Sequence, residues 1–297
     1  MLALIAGEGR LPGTLVAALA DSDTSFLVCE MLGHPADIPG SGGVSKVSFR
    51  LETLGSLIGD LGRRGVTQVC FAGRVSRPEI DPAEIDAATL PLAAKLATAL
   101  QSGDDAALRI IVGFFEDAGI AVVGASEIAP VILPRPGVLT RAKPSEQDER
   151  DARRGDQIIT ALAAADVGQA CVVANGQALA VEAVAGTDWM LHSIIPTSDP
   201  QDDDGAATWA NARIARARAG FGVSGNGQTR GGVLVKKSKP GQDLRFDMPT
   251  VGPETIAGLQ QAQLAGMVIE ADRVILLDPS ATIAAADAAG LFIWVRA

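Results

Sequence analysis

The sequence predicts an α/β protein of two α/β domains, an N-terminal Rossmann-like open sheet and a C-terminal mixed α/β domain, with a ligand held in the interdomain cleft. Short all-apolar runs alternate with stretches of helical periodicity, the pattern of sheets covered by helices. The first run ends in a glycine-rich turn, Gly7-Glu8-Gly9-Arg10-Leu11-Pro12-Gly13, that opens a helix. A proline- and charge-rich passage beginning at Pro134-Arg135-Pro136-Gly137 separates two such series. The expected division is residues 1–136, a linker over 137–155, and residues 156–297 with a polar insertion at 197–230. A chain of 297 residues can bury two cores.

Composition narrows the function classes. Lys plus Arg number 25 against 35 Asp plus Glu, a formal net charge of -10, so no broad basic footprint for nucleic acid exists. Tyrosine is absent, and 8 Phe with 3 Trp make poor stacking platforms for single strands. Cys29, Cys70 and Cys171 each sit in an apolar run without paired spacing and read as reduced, buried hydrophobes. The apolar start is too short for a signal peptide and no run approaches the ~18 residues of a membrane span, so a cytoplasmic protein is expected.

In chain order, Leu2-Ala3-Leu4-Ile5-Ala6 is a buried strand, and the turn after it could bring backbone N–H groups and a helix amino end to a diphosphate. Its spacing, G-x-G-x-x-x-G, is looser than the dinucleotide fingerprint, and a turn that only joins strand to helix accounts for it equally. Phe26-Leu27-Val28-Cys29 is the next strand, with Glu30 about twenty residues beyond the turn, where a nicotinamide-binding fold has its ribose acid. His34 reads as an exposed turn residue. Gln68-Val69-Cys70-Phe71-Ala72 is a further buried strand, and Gly73-Arg74-Val75-Ser76-Arg77-Pro78 follows its carboxyl end, where open sheets bind ligands. Arg74, Ser76 and Arg77 could grip a nucleotide there, or form a solvated basic loop.

The second series is expected to open with a helix over 156–164, followed by a hairpin turning at Asn175-Gly176 between apolar runs. Glu182 interrupts the returning strand, and a buried carboxylate without a partner is costly, so it should face a cation or the cleft. Gly186-Thr187-Asp188 reads as a helix start, and His192 carries no role. The acid run Asp202-Asp203-Asp204 reads as solvated charge. After the strand Gly232-Val233-Leu234-Val235, three lysines (Lys236, Lys237, Lys239), Gln242, Asp243, Arg245 and Asp247 crowd one loop, more polar potential than a turn needs. Asp243 and Asp247 would stand about 13 Å apart on a straight strand at ~3.3 Å per residue, so Asp247 is expected to support Asp243 through an Asp-Arg-Asp ladder.

Several strings occur together in order: Ile5-Ala6-Gly7-Glu8-Gly9-Arg10-Leu11-Pro12, Gly73-Arg74-Val75-Ser76-Arg77-Pro78, Gly137-Val138-Leu139-Thr140, Asp166-Val167-Gly168-Gln169, Val181-Glu182-Ala183 with Gly186-Thr187-Asp188, and Lys239-Pro240-Gly241-Gln242-Asp243-Leu244-Arg245-Phe246-Asp247. Over nearly its whole length the chain resembles the UDP-2,3-diacylglucosamine pyrophosphatase family of the LpxI type. The resemblance implies a divalent-metal-dependent hydrolase of lipid A biosynthesis in a Gram-negative cytosol, with access to the inner face of the inner membrane. Its substrate would be UDP-2,3-diacylglucosamine, cleaved at the diphosphate to UMP and 2,3-diacylglucosamine 1-phosphate (lipid X).

On that resemblance Asp243 takes a catalytic or metal-binding role, with Glu182 and Asp188 as further catalytic carboxylates and Asp188 as a second metal ligand. Gly7, Gly9, Arg10, Leu11, Pro12, Gly73, Arg74, Ser76, Arg77, Thr140, Thr187, Lys236, Lys239 and Gln242 would bind substrate. Mg²⁺ is the expected cofactor, since it prefers carboxylate oxygens and the chain has only 2 His. A nicotinamide-dependent oxidoreductase and a non-catalytic nucleotide- or lipid-binding protein remain as alternatives.

Overall fold

The strand β1 (Leu2–Ala6) is buried along its whole length, as a strand flanked on both edges and covered on both faces must be. In this computed structural model, which describes residues 1–39, 43–75, 80–101, 104–196, 205–218 and 231–297, the chain forms two compact units. One comprises Met1–Val131 with Gln242–Met248, the other Ile132–Gly241 with Pro249–Ala297.

The first unit runs β1, α1 (Leu11–Ala20), β2 (Phe26–Met31), β3 (Lys46–Phe49), α2 (Leu54–Arg63), β4 (Gln68–Ala72), α3 (Ala93–Gln101), α4 (Asp104–Asp117), β5 (Ala121–Val122) and α5 (Ala125–Ile128). Its strands lie in the order β3-β2-β1-β4-β5, all parallel. The order reverses between β1 and β4, so their carboxyl ends form the topological switch point where such sheets take ligands. Pro12, Leu15, Val16 and Leu19 bury one face of α1, and Leu54, Leu57 and Leu61 do so for α2, the i, i+3, i+4, i+7 stripe. Ile5, Leu27, Leu54, Val69 and Phe115 lie in one core, where Phe71 and Phe115 meet edge to face at 5.4 Å.

The second unit continues with β6 (Gly137–Val138), α6 (Glu146–Ala164), β7 (Ala170–Ala174), β8 (Gln177–Val181), α7 (Gly186–His192), α8 (Gly205–Arg218), β9 (Val233–Lys236), β10 (Thr250–Val251), α9 (Pro253–Gln261), β11 (Gly266–Glu270), β12 (Ile275–Leu276), α10 (Pro279–Ala289) and β13 (Phe292–Arg296). Its main sheet has the order β6-β13-β11-β9-β7-β8, with β9, β11 and β13 parallel and β6, β7 and β8 antiparallel to their neighbours. Asn175 and Gly176 turn the β7–β8 hairpin with φ of 49° and 75°, the conformation an Asn-Gly pair favours.

Helix α6 begins ten residues before the expected Asp156. Ser145 caps it by accepting from Asp148 N at 3.2 Å, while Asp148 Oδ2 accepts from Ser145 N at 2.8 Å. Its first turn, Glu146 to Glu149, is polar, so apolar periodicity cannot reveal it. The passage read as a linker over 137–155 thus contains β6 and the first half of α6. Asp151 on that helix is buried and accepts from Asn175 N and Gly176 N at 2.9 and 2.6 Å, tying the hairpin turn to the helix. Among the described residues no helix is long and apolar enough to cross a membrane.

Candidate active site

At the switch point of the first unit the two expected ligand loops are bonded to each other. Gly7 N donates to Ala72 O at 2.8 Å, Glu8 N to Arg74 O at 2.8 Å, and Arg74 N to Glu8 O at 2.9 Å. Both glycines are required by this contact: a Cβ on Gly7 would stand 2.5 Å from Arg74 O, and one on Gly73, whose φ is +91°, 2.7 Å from Glu8 O. The part of the glycine turn left to an anion is therefore Gly9 to Leu11, with Pro12 buried in the first turn of α1 and Arg10 exposed. Ser76 and Arg77 lie outside the described residues.

His34 is not an exposed turn residue. It is 9 % exposed, with Nδ1 3.1 Å from Glu8 Oε1, while Arg74 Nη2 stands 3.7 Å from Glu8 Oε2. Glu8, which sequence reasoning passed over, thus joins the turn after β1 to the loops after β2 and β4. Glu30 Oε1 accepts from Ala36 N at 3.0 Å, which engages the proposed ribose acid with its own loop.

In the second unit three expected site residues come together. Glu182 is buried and accepts from Gln169 N at 3.0 Å through Oε2 and from the Thr187 hydroxyl through Oε1. Thr187 Oγ1 in turn accepts from Lys236 Nζ at 2.8 Å, and Lys236 also donates to Thr250 O at 3.0 Å. The carboxylate that interrupts the apolar run therefore has a buried ammonium as its counterpart, relayed through one hydroxyl. Asp188, next in sequence to Thr187, is exposed on the first turn of α7.

The remaining lysines after β9 are paired. Lys239 Nζ lies 2.6 Å from Asp166 Oδ1, and Lys237 Nζ lies 3.3 Å from Asp156 Oδ1. Thr140 is buried; its hydroxyl donates to Ala142 O at 3.1 Å and accepts from Ile293 N at 2.9 Å, a tie between its loop and β13.

The loop holding Asp243 belongs to the first unit, where Phe246 packs against the core. The segment curls instead of running straight: Asp247 N donates to Asp243 O at 3.1 Å, one helical turn. The expected Asp-Arg-Asp ladder runs to a different carboxylate. Arg245 donates to Asp243 through Nε (3.0 Å to Oδ1) and Nη2 (2.7 Å to Oδ2), and through Nη1 to Glu116 Oε1 at 2.9 Å on α4. Asp247 Oδ2 accepts from Gln242 Nε2 at 2.6 Å. The Arg245 hydrogen bonds hold the Asp243 carboxyl below the usual carboxylate range and raise Arg245 in return.

No group of three His, Cys, Asp or Glu among the described residues could hold a metal ion. Mg²⁺ needs no such cage, because it ordinarily takes one or two carboxylates and completes its shell with water and phosphate oxygens. Asp188 fits that requirement: it is exposed and makes no hydrogen bond or ion pair with the described residues. Asp243 does not fit while both of its oxygens accept from Arg245.

Comparison with known proteins covers both units. Residues 1–132 match the LpxI N-terminal domain and residues 135–294 the LpxI C-terminal domain. The chain is 35 % identical over 293 residues, 98 % of its length and 96 % of the relative's, to a Caulobacter vibrioides protein named UDP-2,3-diacylglucosamine pyrophosphatase LpxI. With its two halves matched in order, this chain belongs to the LpxI family.

Proposed function

We propose that the protein hydrolyses the diphosphate of UDP-2,3-diacylglucosamine to UMP and 2,3-diacylglucosamine 1-phosphate. The observation that carries this reading is the similarity over 98 % of the chain to a protein of that name. In the reaction one P–O bond of the anhydride breaks, water adds to that phosphorus, and the bridging oxygen leaves on the other product. Negative charge builds on the phosphate oxygens and favours cationic neighbours. Two features of the chain support such chemistry. Lys236 is a buried ammonium, and its neighbour Thr187 is oriented from both sides, donating to Glu182 and accepting from Lys236 at 2.8 Å. Asp243 is an ionised carboxylate suited to orienting water once it is released from Arg245.

Mg²⁺ completes the proposal. Asp188 would hold it together with the substrate's phosphates, and the ion would supply charge neutralisation. A substrate with two acyl chains also calls for contact with a membrane surface, the inner face of the inner membrane in this reading.

The test is incubation of the purified protein with UDP-2,3-diacylglucosamine and Mg²⁺, read by ³¹P NMR. UMP and the sugar 1-phosphate are expected, with EDTA stopping turnover and added Mg²⁺ restoring it. Asp243→Ala is expected to slow release at least ~100-fold with the fold intact. No UMP from the wild type would overturn the reading.

A further inference from the structure

We propose that Arg245 is a phosphate-gripping residue of the substrate site, and that it masks Asp243 until the substrate's diphosphate displaces that carboxylate. This rests on the hydrolase reading above. Arg245 lies between two carboxylates from different parts of the first unit. Its Nε and Nη2 take both oxygens of Asp243, at 3.0 and 2.7 Å, and its Nη1 takes Glu116, 129 residues away in sequence, at 2.9 Å. The guanidinium fork that fits a carboxylate fits a phosphate in the same way, and a phosphate with more charge competes for it.

The arrangement permits that exchange. The side chains of Arg245 and Glu116 are each 44 % exposed and that of Asp243 21 %, so the ion pairs face solvent and an incoming anion can reach the guanidinium. The loop has other supports: Phe246 packs in the core, Asp247 N closes a turn on Asp243 O at 3.1 Å, and Gln242 holds Asp247 at 2.6 Å. Breaking the Arg245–Asp243 pair therefore need not unfold the loop. Glu116 stays on Nη1 when Asp243 leaves, and keeps the guanidinium aimed. The same event frees Asp243 Oδ2 for water, while Oδ1 stays oriented by Arg245 N at 3.1 Å, which couples substrate binding to exposure of the catalytic carboxylate.

The two halves of the proposal predict opposite effects on affinity. With UDP as the probe in calorimetry on the full-length protein, Arg245→Gln is expected to weaken binding about tenfold or more. Asp243→Asn is expected to tighten it about threefold, because the guanidinium loses its stronger competitor. Arg245→Lys, which keeps the charge without the fork, is expected to bind UDP about tenfold less tightly and supplies the test if Arg245→Gln does not fold. UDP affinity within twofold of wild type in the folded Arg245 variants, or weakened by Asp243→Asn, would overturn the proposal. UDP binding is read without turnover, so failure here is separate from a wild type that releases no UMP.

Discussion

The ammonium of Lys236 on β9 donates to the hydroxyl of Thr187 on α7 at 2.8 Å, and that hydroxyl donates to Glu182. A buried positive and a buried negative group are thereby matched through one hydroxyl, which lies 49 residues before the lysine in sequence.

Removing one end of that relay leaves the other charge stranded. Lys236→Met is expected to cost about 3 kcal/mol of stability, the scale for breaking a buried pair from one side. Adding Glu182→Gln should recover part of the loss, because the orphan charge disappears with it. Urea unfolding of the two single variants and the double variant measures the coupling; additive losses would mean that the groups are independent.

The Asp243–Arg245 pair carries a pH dependence with a defined sign. The hydrogen bonds from Arg245 lower the folded-state pKa of Asp243, so their stabilisation is present above the unfolded value of about 3.9 and is lost as pH falls through the lower folded value. Arg245→Gln should move the Asp243 midpoint up toward that ordinary value, as read by ¹³C NMR of its carboxyl carbon. An unmoved midpoint would assign the depression to another group.

All three thiols should be silent in the folded protein. Cys29, Cys70 and Cys171 are buried, and burial pushes each pKa up to about 12, so thiolate is scarce at pH 8. Ellman's reagent should count none in native buffer and three in guanidinium chloride. A rapid native reaction would show that at least one strand opens readily.

Gly155 in α6 separates two opposing effects. Alanine normally gains about 1 kcal/mol over glycine inside a helix. Here the added Cβ would lie 2.5 Å from Val235 Cγ2 and 2.8 Å from Val235 Cβ on β9, and overpacking of that kind costs about 1–3 kcal/mol. Gly155→Ala should therefore lower the unfolding midpoint, and Val235→Ala in the same protein should cost less than it does alone. A stabilised Gly155→Ala would show that helix and sheet have room to part.

Much of the fold is legible in the residues because its signals are local. An all-apolar run such as Leu2-Ala3-Leu4-Ile5-Ala6 has no stable place except inside a covered sheet, and it is buried throughout. Asn175-Gly176 supplies the two positive φ values of a tight hairpin, and Pro253 and Pro279 open helices α9 and α10. The polar first turn of α6 stayed hidden because a helix start built from a Ser145–Asp148 cap presents no apolar stripe.

By itself, then, the sequence determined the longer strands, the Asn175-Gly176 turn and a shortlist of polar residues, since backbone sterics and apolar periodicity act over a few residues; the two-residue strands β6 and β10 carry too few residues for such a signal. Tertiary structure decided which of those residues meet. Glu182 found Lys236 through Thr187; Lys239 was drawn to Asp166; Thr140 became a tie to β13; and Arg245 chose Glu116 in addition to Asp243. Gln242–Met248 joined the first unit although its neighbours in sequence lie in the second, where Phe246 met a core built from residues more than a hundred positions earlier. Hydrogen bonds and ion pairs form between groups brought together by the packing of distant segments, so their partners are set by the folded chain and leave no local mark on the sequence.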